Sequence, residues 1–186
     1  MNYKDYDESK PPCIMAVDDE ESIYPILEAF APNKNHDDLY KLNAIYIWSE
    51  NLMSDASSQA VCQSGCFHCC AQKVAVKPIE LKNILTNIGD FQARDNGEFC
   101  PLLDMDKGVC GVYEVRPLVC RTMLAFDNPK YCASDELHWI FDVNNLKILM
   151  EQVLGKHEYG DFLASGIEQI ISGKEVDLRN QFKLGH

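Results

Sequence analysis

Apolar residues recur along this chain mainly at the three- and four-residue spacing of an amphipathic α-helix. The pattern predicts helices over residues 38–53, 78–88, 136–154 and 160–172. Pro78 suits the first turn of a helix, and Gly155 and Gly173 suit positions where a helix ends. We therefore expect a mainly α fold, a small helical domain without a large β-sheet.

The segments between these helices predict how the chain is organised. We expect a loosely organised N-terminal segment over 1–37, a single helical domain over 38–173 and a C-terminal tail over 174–186. We expect a loop-rich segment over 60–135 to form the centre of that domain. A small polar stretch at 54–58 predicts a turn, and residues 92–111 predict a loop.

Composition and charge narrow the function classes. The chain has 186 residues, of which 46% are hydrophobic and 25% charged, as in an ordinary globular domain. Seventeen basic against 29 acidic residues give a net charge of −12, which repels phosphate backbones and argues against a nucleic-acid partner. No apolar run approaches the roughly 20 residues of a membrane span. The first ten residues lack the apolar core of a secretory signal, so we expect a cytoplasmic protein.

The cysteines depart most from average composition. There are nine, and eight of them lie within residues 62–132. These eight are Cys62, Cys66, Cys69, Cys70, Cys100, Cys110, Cys120 and Cys132. Clustered thiols in a chain without secretory features are more often metal ligands than disulfides, although a disulfide scaffold stays the alternative. We expect all eight to bind metal and Cys13, which stands apart, to have no role.

The spacing of the first cysteines limits how they can bind. Cys66 and Cys69 form a CxxC pair, which can hold one ion from a tight turn. A straight helix from Cys62 to Cys70 would span about 12 Å, whereas sulfurs on one zinc stand only about 3.8 Å apart. Either the chain bends at Gly65, or the group serves two ions, or it holds an iron–sulfur cluster. Eight thiols allow two four-cysteine sites, or one four-iron cluster with four spare thiols.

Four polar residues near the cysteines are candidates to support the metal without binding it. His68 lies inside the CxxC pair and could also bind through its imidazole, but with eight thiols nearby a supporting role is favoured. Tyr113, Arg116 and Arg121 lie among the later cysteines. A guanidinium there would offset thiolate charge, although Arg116 could instead pair with Glu114 at the surface.

Two blocks of sequence are recognisable as a family pattern. They are CQSGCFHCCAQKVAVKPIEL and CPLLDMDKGVCGVYEVRPLVCRTM, with Cys132 shortly downstream. Together they resemble the YkgJ-type cysteine-cluster family over about residues 60–135. The resemblance implies chelation of zinc or iron by the cysteines. A related cysteine motif accompanies an iron–sulfur cluster in flagellin lysine methylase. This chain has no recognisable adenosylmethionine-binding loop, so methylase activity is not implied.

Three functions are compatible with these features. The first is a cytoplasmic metal-binding protein whose cysteines hold zinc or an iron–sulfur cluster, the metal also holding the fold together. The second is a redox or transferase enzyme that uses an iron–sulfur cluster. The third is a metal-stabilised module whose acidic helices meet a protein partner. Visible absorption distinguishes an iron–sulfur cluster from zinc.

Overall fold

The computed structural model describes residues 20–134 and 138–182, and Cys13 lies outside this part of the chain. The fold is about 52% helical, which confirms the mainly α prediction. The helices are α1 (Glu20–Ala29), α2 (Asp38–Leu52), α3 (Ser54–Gln59), α4 (Pro78–Asn87), α5 (Leu118–Arg121), α6 (Val143–Leu154), α7 (Gly160–Ile170) and α8 (Leu178–Gln181). Three 3₁₀ turns are η1 (His68–Ala71), η2 (Tyr113–Val115) and η3 (Pro129–Ala133).

Helices α1, α2, α6 and α7 supply most of the larger core. Trp48 of α2 is fully buried, and Ile26 of α1, Leu146 of α6 and Leu163 of α7 pack in the same cluster. The Asp37 carboxylate begins α2 by accepting a hydrogen bond from a backbone amide of the first turn. None of the described helices has the length and apolar character that crossing a membrane requires. The predicted domain boundaries stay a prediction.

Three pairs of two-residue antiparallel strands brace the cysteine region. The strands are β1 (Ala75–Val76), β2 (Leu103–Asp104), β3 (Val109–Cys110), β4 (Leu124–Ala125), β5 (Ile140–Phe141) and β6 (Val176–Asp177). They pair as β1 with β6, β2 with β3, and β4 with β5. Two of the pairings join segments distant in sequence, so β1–β6 brings the C-terminal segment beside the first cysteine block.

The helices at 38–53, 78–88 and 160–172 occur close to their predicted positions. The prediction of helix over 136–154 is wrong at its beginning, because β5 occupies 140–141 and α6 begins only at Val143. Asp142 sets that boundary by accepting hydrogen bonds from two amides of the first turn. Residues 135–137 lie outside the described part of the chain. The turn expected at 54–58 is wrong as well, because α3 forms there and buries Ala56.

A second, smaller core underlies the cysteines. Val76, Ile84, Leu102, Val112 and Leu178 are buried together, and several cysteines pack against them. The loop expected over 92–111 contains the β2–β3 hairpin. Gly108, with a φ of 66°, completes its turn. Cysteine side chains thus contribute to this core as well as facing one another.

Candidate metal centre

The first cysteine block is bent rather than helical throughout. Gly65 has a φ of 85°, in the left-handed region that favours glycine, and the Cys66 amide bonds back to the Gln63 carbonyl at 2.9 Å. After this turn the chain enters η1, which carries Cys69 and Cys70. The bend at Gly65 was one of the three alternatives open from the sequence. Because of this bend, the four thiols of the first block do not lie along one straight helix.

The second block lies against the first through backbone contacts. The Cys100 amide donates to the Cys70 carbonyl at 2.8 Å. Cys110 lies on β3, opposite Leu103 of β2, and Cys120 lies on α5. The backbone bond therefore places Cys100 beside the end of η1, and Cys100, Cys110 and Cys120 all pack against the smaller core.

Cys132 reaches the first block from η3. It is buried and packs with Ala125 and Cys69 in a small apolar cluster. Its carbonyl accepts a hydrogen bond from the Gln72 side chain at 2.6 Å. In the same region the Ala125 amide donates to the Cys62 sulfur at 3.3 Å. These contacts hold η3 and β4 against the turn that carries the first cysteines.

One set of thiols interacts with Cys132, against which Cys69 packs. Burial, together with thiolate charge on Cys69, Cys62 and Cys66, raises the Cys132 pKa to about 12. Burial also raises the pKa of Cys66, and charge on Cys62 and Cys69 adds a smaller rise. We call these four cysteines group A: Cys62, Cys66, Cys69 and Cys132.

A second set of thiols surrounds Cys120. Burial raises its pKa well above the ordinary value, and charge on Cys69, Cys100 and Cys110 adds to that rise. The Cys70 pKa is raised by its hydrogen bond to Cys69, by burial and by charge on Cys69, Cys100 and Cys110. We call the following four cysteines group B: Cys70, Cys100, Cys110 and Cys120.

The adjacent residues Cys69 and Cys70 join the two groups. Their sulfurs share a hydrogen bond, in which the Cys70 thiol donates to Cys69 and thereby lowers the Cys69 pKa. Cys69 acts electrostatically on members of both groups, whereas the Cys120 and Cys132 thiols are each affected by different remaining cysteines. Neighbouring residues in the sequence thus serve different sides of the cluster.

Three of the sulfurs accept a hydrogen bond from the backbone amide two residues further along the chain. The cysteines are Cys66, Cys100 and Cys110, and the amides are those of His68, Leu102 and Val112. Burial raises the pKa of all three thiols, and the amide hydrogen bond opposes this by favouring the thiolate. Such an amide remains a suitable partner when the sulfur loses its proton to a metal.

The charge of Arg116 acts on thiols of both groups. Its guanidinium lies over the Tyr113 ring, 4.0 Å from the ring centroid, and its buried Nε has no hydrogen-bond partner among the described residues. Its charge favours the thiolate form of Cys62, Cys69, Cys110 and Cys120. At most of these thiols burial is the larger influence and raises the pKa. The predicted supporting roles of Arg116 and Tyr113 stay predictions, and this geometry agrees with them.

Arg121 faces the helical core. Its guanidinium bonds to the Glu50 carboxylate and the Glu114 carbonyl, its Nε donates to the Arg116 carbonyl at 2.8 Å, and it lies 4.2 Å from the Tyr46 ring centroid. Arg121 therefore fixes η2 to α2, and none of these contacts is with a sulfur.

His68 stacks on the Phe67 ring, with 5.7 Å between the ring centroids. Its backbone amide bonds to the Cys66 sulfur. The supporting role of its side chain stays a prediction.

The sequence reasoning missed two side chains that hold the cluster together. Gln72 is bonded to the Cys132 carbonyl, as described above. Arg179 of α8 donates from Nη2 to the carbonyls of Cys70, Ala71 and Gln72, at 3.3, 2.5 and 3.0 Å. Arg179 lies 109 residues from Cys70, so no local spacing could have indicated this contact.

The donor set fits a thiophilic metal. The eight described cysteines are all free thiols, and thiolate is the ligand type that zinc and iron–sulfur clusters take. As placed, no three His, Cys, Asp or Glu side chains within residues 20–134 and 138–182 are arranged to hold one metal ion. Groups A and B are therefore neighbouring thiols and not closed ligand shells. The ligand roles of the eight cysteines stay a prediction.

Comparison with known proteins agrees with this chemistry. Residues 61–140 match the model of the CxxCxxCC family, described as a "putative zinc- or iron-chelating domain". This is the YkgJ-type family, so the resemblance based on the two cysteine blocks is confirmed. The match includes all eight cysteines of groups A and B and excludes Arg179. No curated protein and no solved structure matches the chain.

Proposed function

We propose, with the CxxCxxCC zinc- or iron-chelating domain at residues 61–140 as the premise, that this chain binds metal at two four-thiolate sites. Group A supplies Cys62, Cys66, Cys69 and Cys132 to one site. Group B supplies Cys70, Cys100, Cys110 and Cys120 to the other. The two sites are adjacent because Cys69 and Cys70 are consecutive residues.

The observation that carries this proposal is that Cys69 and Cys132 pack together in one small apolar cluster, whereas Cys100, Cys110 and Cys120 pack against the smaller core. Four thiols are the complete ligand set of a structural zinc site, and four are also the ligand set of a common iron–sulfur cluster. A single four-iron cluster would instead leave four thiols unused. Two four-thiolate sites would use all eight thiols.

Thiolate sites of this kind accept either zinc or an iron–sulfur cluster, and only the latter would add electron transfer. The protein's own part is the same in both cases. Amides at Cys66, Cys100 and Cys110 stabilise negative sulfur, and the Arg116 guanidinium offsets thiolate charge on both groups. Free thiols are maintained in a reducing compartment, which supports a cytoplasmic location for this activity.

Metal binding would also stabilise the fold around the cysteines. Cys100, Cys110 and Cys120 pack against the smaller core, which has only six buried apolar residues among those described. Ligand thiolates are not preformed in an unfolded chain, so the free energy of metal binding adds to the free energy of folding. The larger core includes no cysteine among the described residues, so removal of metal should weaken the smaller core more than the larger one.

Metal analysis of matched cysteine variants tests the proposal. The wild type, Cys66→Ser, Cys110→Ser and Cys13→Ser are purified anaerobically and assayed for zinc, iron and acid-labile sulfide, with a visible absorption spectrum. We expect two metal centres in the wild type and Cys13→Ser, and one in each of the other two variants. Equal metal content in all four proteins would overturn the proposal. Iron with sulfide and visible absorption identifies clusters, and zinc without absorption identifies zinc sites.

A further inference from the structure

We infer that Arg179 is a positioning residue for the metal site of group B. Arg179 lies outside the matched domain, and its hydrogen bonds fix the backbone at Cys70. The inference rests on the proposed function, because it assigns Arg179 to the same metal centre. It extends that centre from residues 61–140 to α8, in a part of the chain that the cysteine blocks do not include.

The contacts of Arg179 converge on the end of η1. Three successive carbonyls, of Cys70, Ala71 and Gln72, accept hydrogen bonds from the single Nη2 atom. Carbonyls at the end of a helical turn have no partner within the turn, and a cation there is favourable. One planar guanidinium thus completes the hydrogen bonding of the backbone that follows Cys70.

The Cys70 carbonyl also connects two members of group B. Besides the hydrogen bond from Arg179 it accepts the Cys100 amide, at 2.8 Å. Both bonds bear on the same oxygen, so Arg179, Cys70 and Cys100 form one backbone junction. Movement of this carbonyl would change the separation of two cysteines that share a proposed metal.

The backbone around Arg179 is fixed by its own contacts. Its backbone amide bonds to the Asp177 carboxylate at 2.9 Å, which caps α8. Leu178 is buried in the smaller core and its amide donates to the Val74 carbonyl at 2.9 Å. The β1–β6 pair adds a further connection to the chain just after η1. The guanidinium therefore projects from a fixed backbone.

Three variants separate positioning from charge. Arg179→Met removes both properties, and Arg179→Lys keeps the charge but carries it on a shorter, flexible stem, which does not hold a nitrogen at the position of Nη2. Arg94→Met is the matched control, because Arg94 is half exposed and its guanidinium bonds to Asp106 on the surface of the hairpin loop. Each full-length protein is stripped of metal, reconstituted with zinc, and titrated with a chromophoric chelator that resolves the two bound equivalents.

We expect Arg179→Met and Arg179→Lys each to weaken one zinc equivalent by about 10- to 100-fold and to leave the other unchanged, as removal of a residue that orients metal ligands does. Arg94→Met should retain both equivalents. A variant that only loosened the whole fold would weaken both, and this result would overturn the inference. So would wild-type affinities in Arg179→Met, or full rescue by Arg179→Lys, which would show that charge alone suffices.

Hydrogen exchange on the metal-free proteins gives a second measurement. The Cys70 amide bonds to the Phe67 carbonyl and the Gln72 amide to the Cys69 carbonyl, so both amides report on η1. We expect faster exchange at these amides in Arg179→Met than in Arg94→Met, and equal exchange would overturn the inference. Absence of zinc binding by the wild type itself would instead overturn the proposed function, whatever the exchange result.

Discussion

Replacing Glu80 by glutamine tests the contact that joins the two cores. Glu80 lies in the first turn of α4 and is only 3% exposed. Its Oε1 accepts hydrogen bonds from the Leu118 amide at 2.7 Å and the Tyr46 hydroxyl at 3.3 Å, and its Oε2 accepts from the Lys77 amide at 3.0 Å. One buried carboxylate therefore caps the beginning of α4 and of α5, the helix that carries a group B cysteine.

The size of the effect follows from these three bonds. A glutamine can keep the Oε1 contacts, but its amide nitrogen would face the Lys77 amide, so that two donors oppose each other. Loss of one hydrogen bond to a charged acceptor costs about 1.5–3 kcal/mol. A loss of about 2 kcal/mol lowers the melting temperature of a chain of this size by about 4–8 °C.

Thermal unfolding of the metal-free protein, followed by circular dichroism, measures this loss. Glu151→Gln is the control, because Glu151 is exposed and its one ion pair, with Lys147, is long at 3.9 Å. A surface change of this kind alters the free energy of unfolding by less than about 0.5 kcal/mol. Equal melting temperatures for Glu80→Gln and Glu151→Gln would refute the role given to the buried carboxylate.

Three further predictions concern the cysteine region. Gly111→Ala should lower the free energy of unfolding by about 1–3 kcal/mol in urea titrations, because its Cβ would stand 2.3 Å from the Phe91 ring; an unchanged midpoint would contradict this. Arg116→Met should weaken both zinc equivalents in a chelator titration, since its charge reaches both groups, and a loss confined to one would be evidence against a shared role. The free energy of unfolding of the metal-free protein should fall as the pH rises from about 9 towards 12. The reason is that the Cys132 thiol ionises near pH 9 in the unfolded chain but only at about 12 in the buried site. A constant free energy of unfolding over that interval would show that folding does not raise the pKa of this thiol.

The helical half of the fold was predictable because its information is local. Apolar residues recur at helical spacing in α2, α4 and α7, and each of these helices packs several of them into the cores. The beginning of α6 was not predictable, because Ile140 and Phe141 form β5 by pairing with residues 124–125. A two-residue strand has no periodicity of its own. For α3 the small polar residues indicated a turn, whereas burial of Ala56 against the larger core favours a helix.

The chemistry of the candidate site was also predictable, but its arrangement was not. Eight clustered thiols indicate metal from residue type alone, and Gly65 indicated where the chain could bend. The separation of Cys69 from Cys70 into different groups depends on the positions of the β2–β3 hairpin, η3 and α5, which contacts between distant segments determine. Arg179 is a contact of the same kind, from a segment with no cysteine motif.

X-ray absorption at the metal edge of the anaerobically purified wild-type protein tests the central claim most directly. The claim is that groups A and B bind metal through thiolates alone. The predicted result is four sulfur neighbours per metal atom at about 2.3 Å, whether the metal is zinc or iron. A set of neighbours dominated by nitrogen or oxygen would contradict the claim.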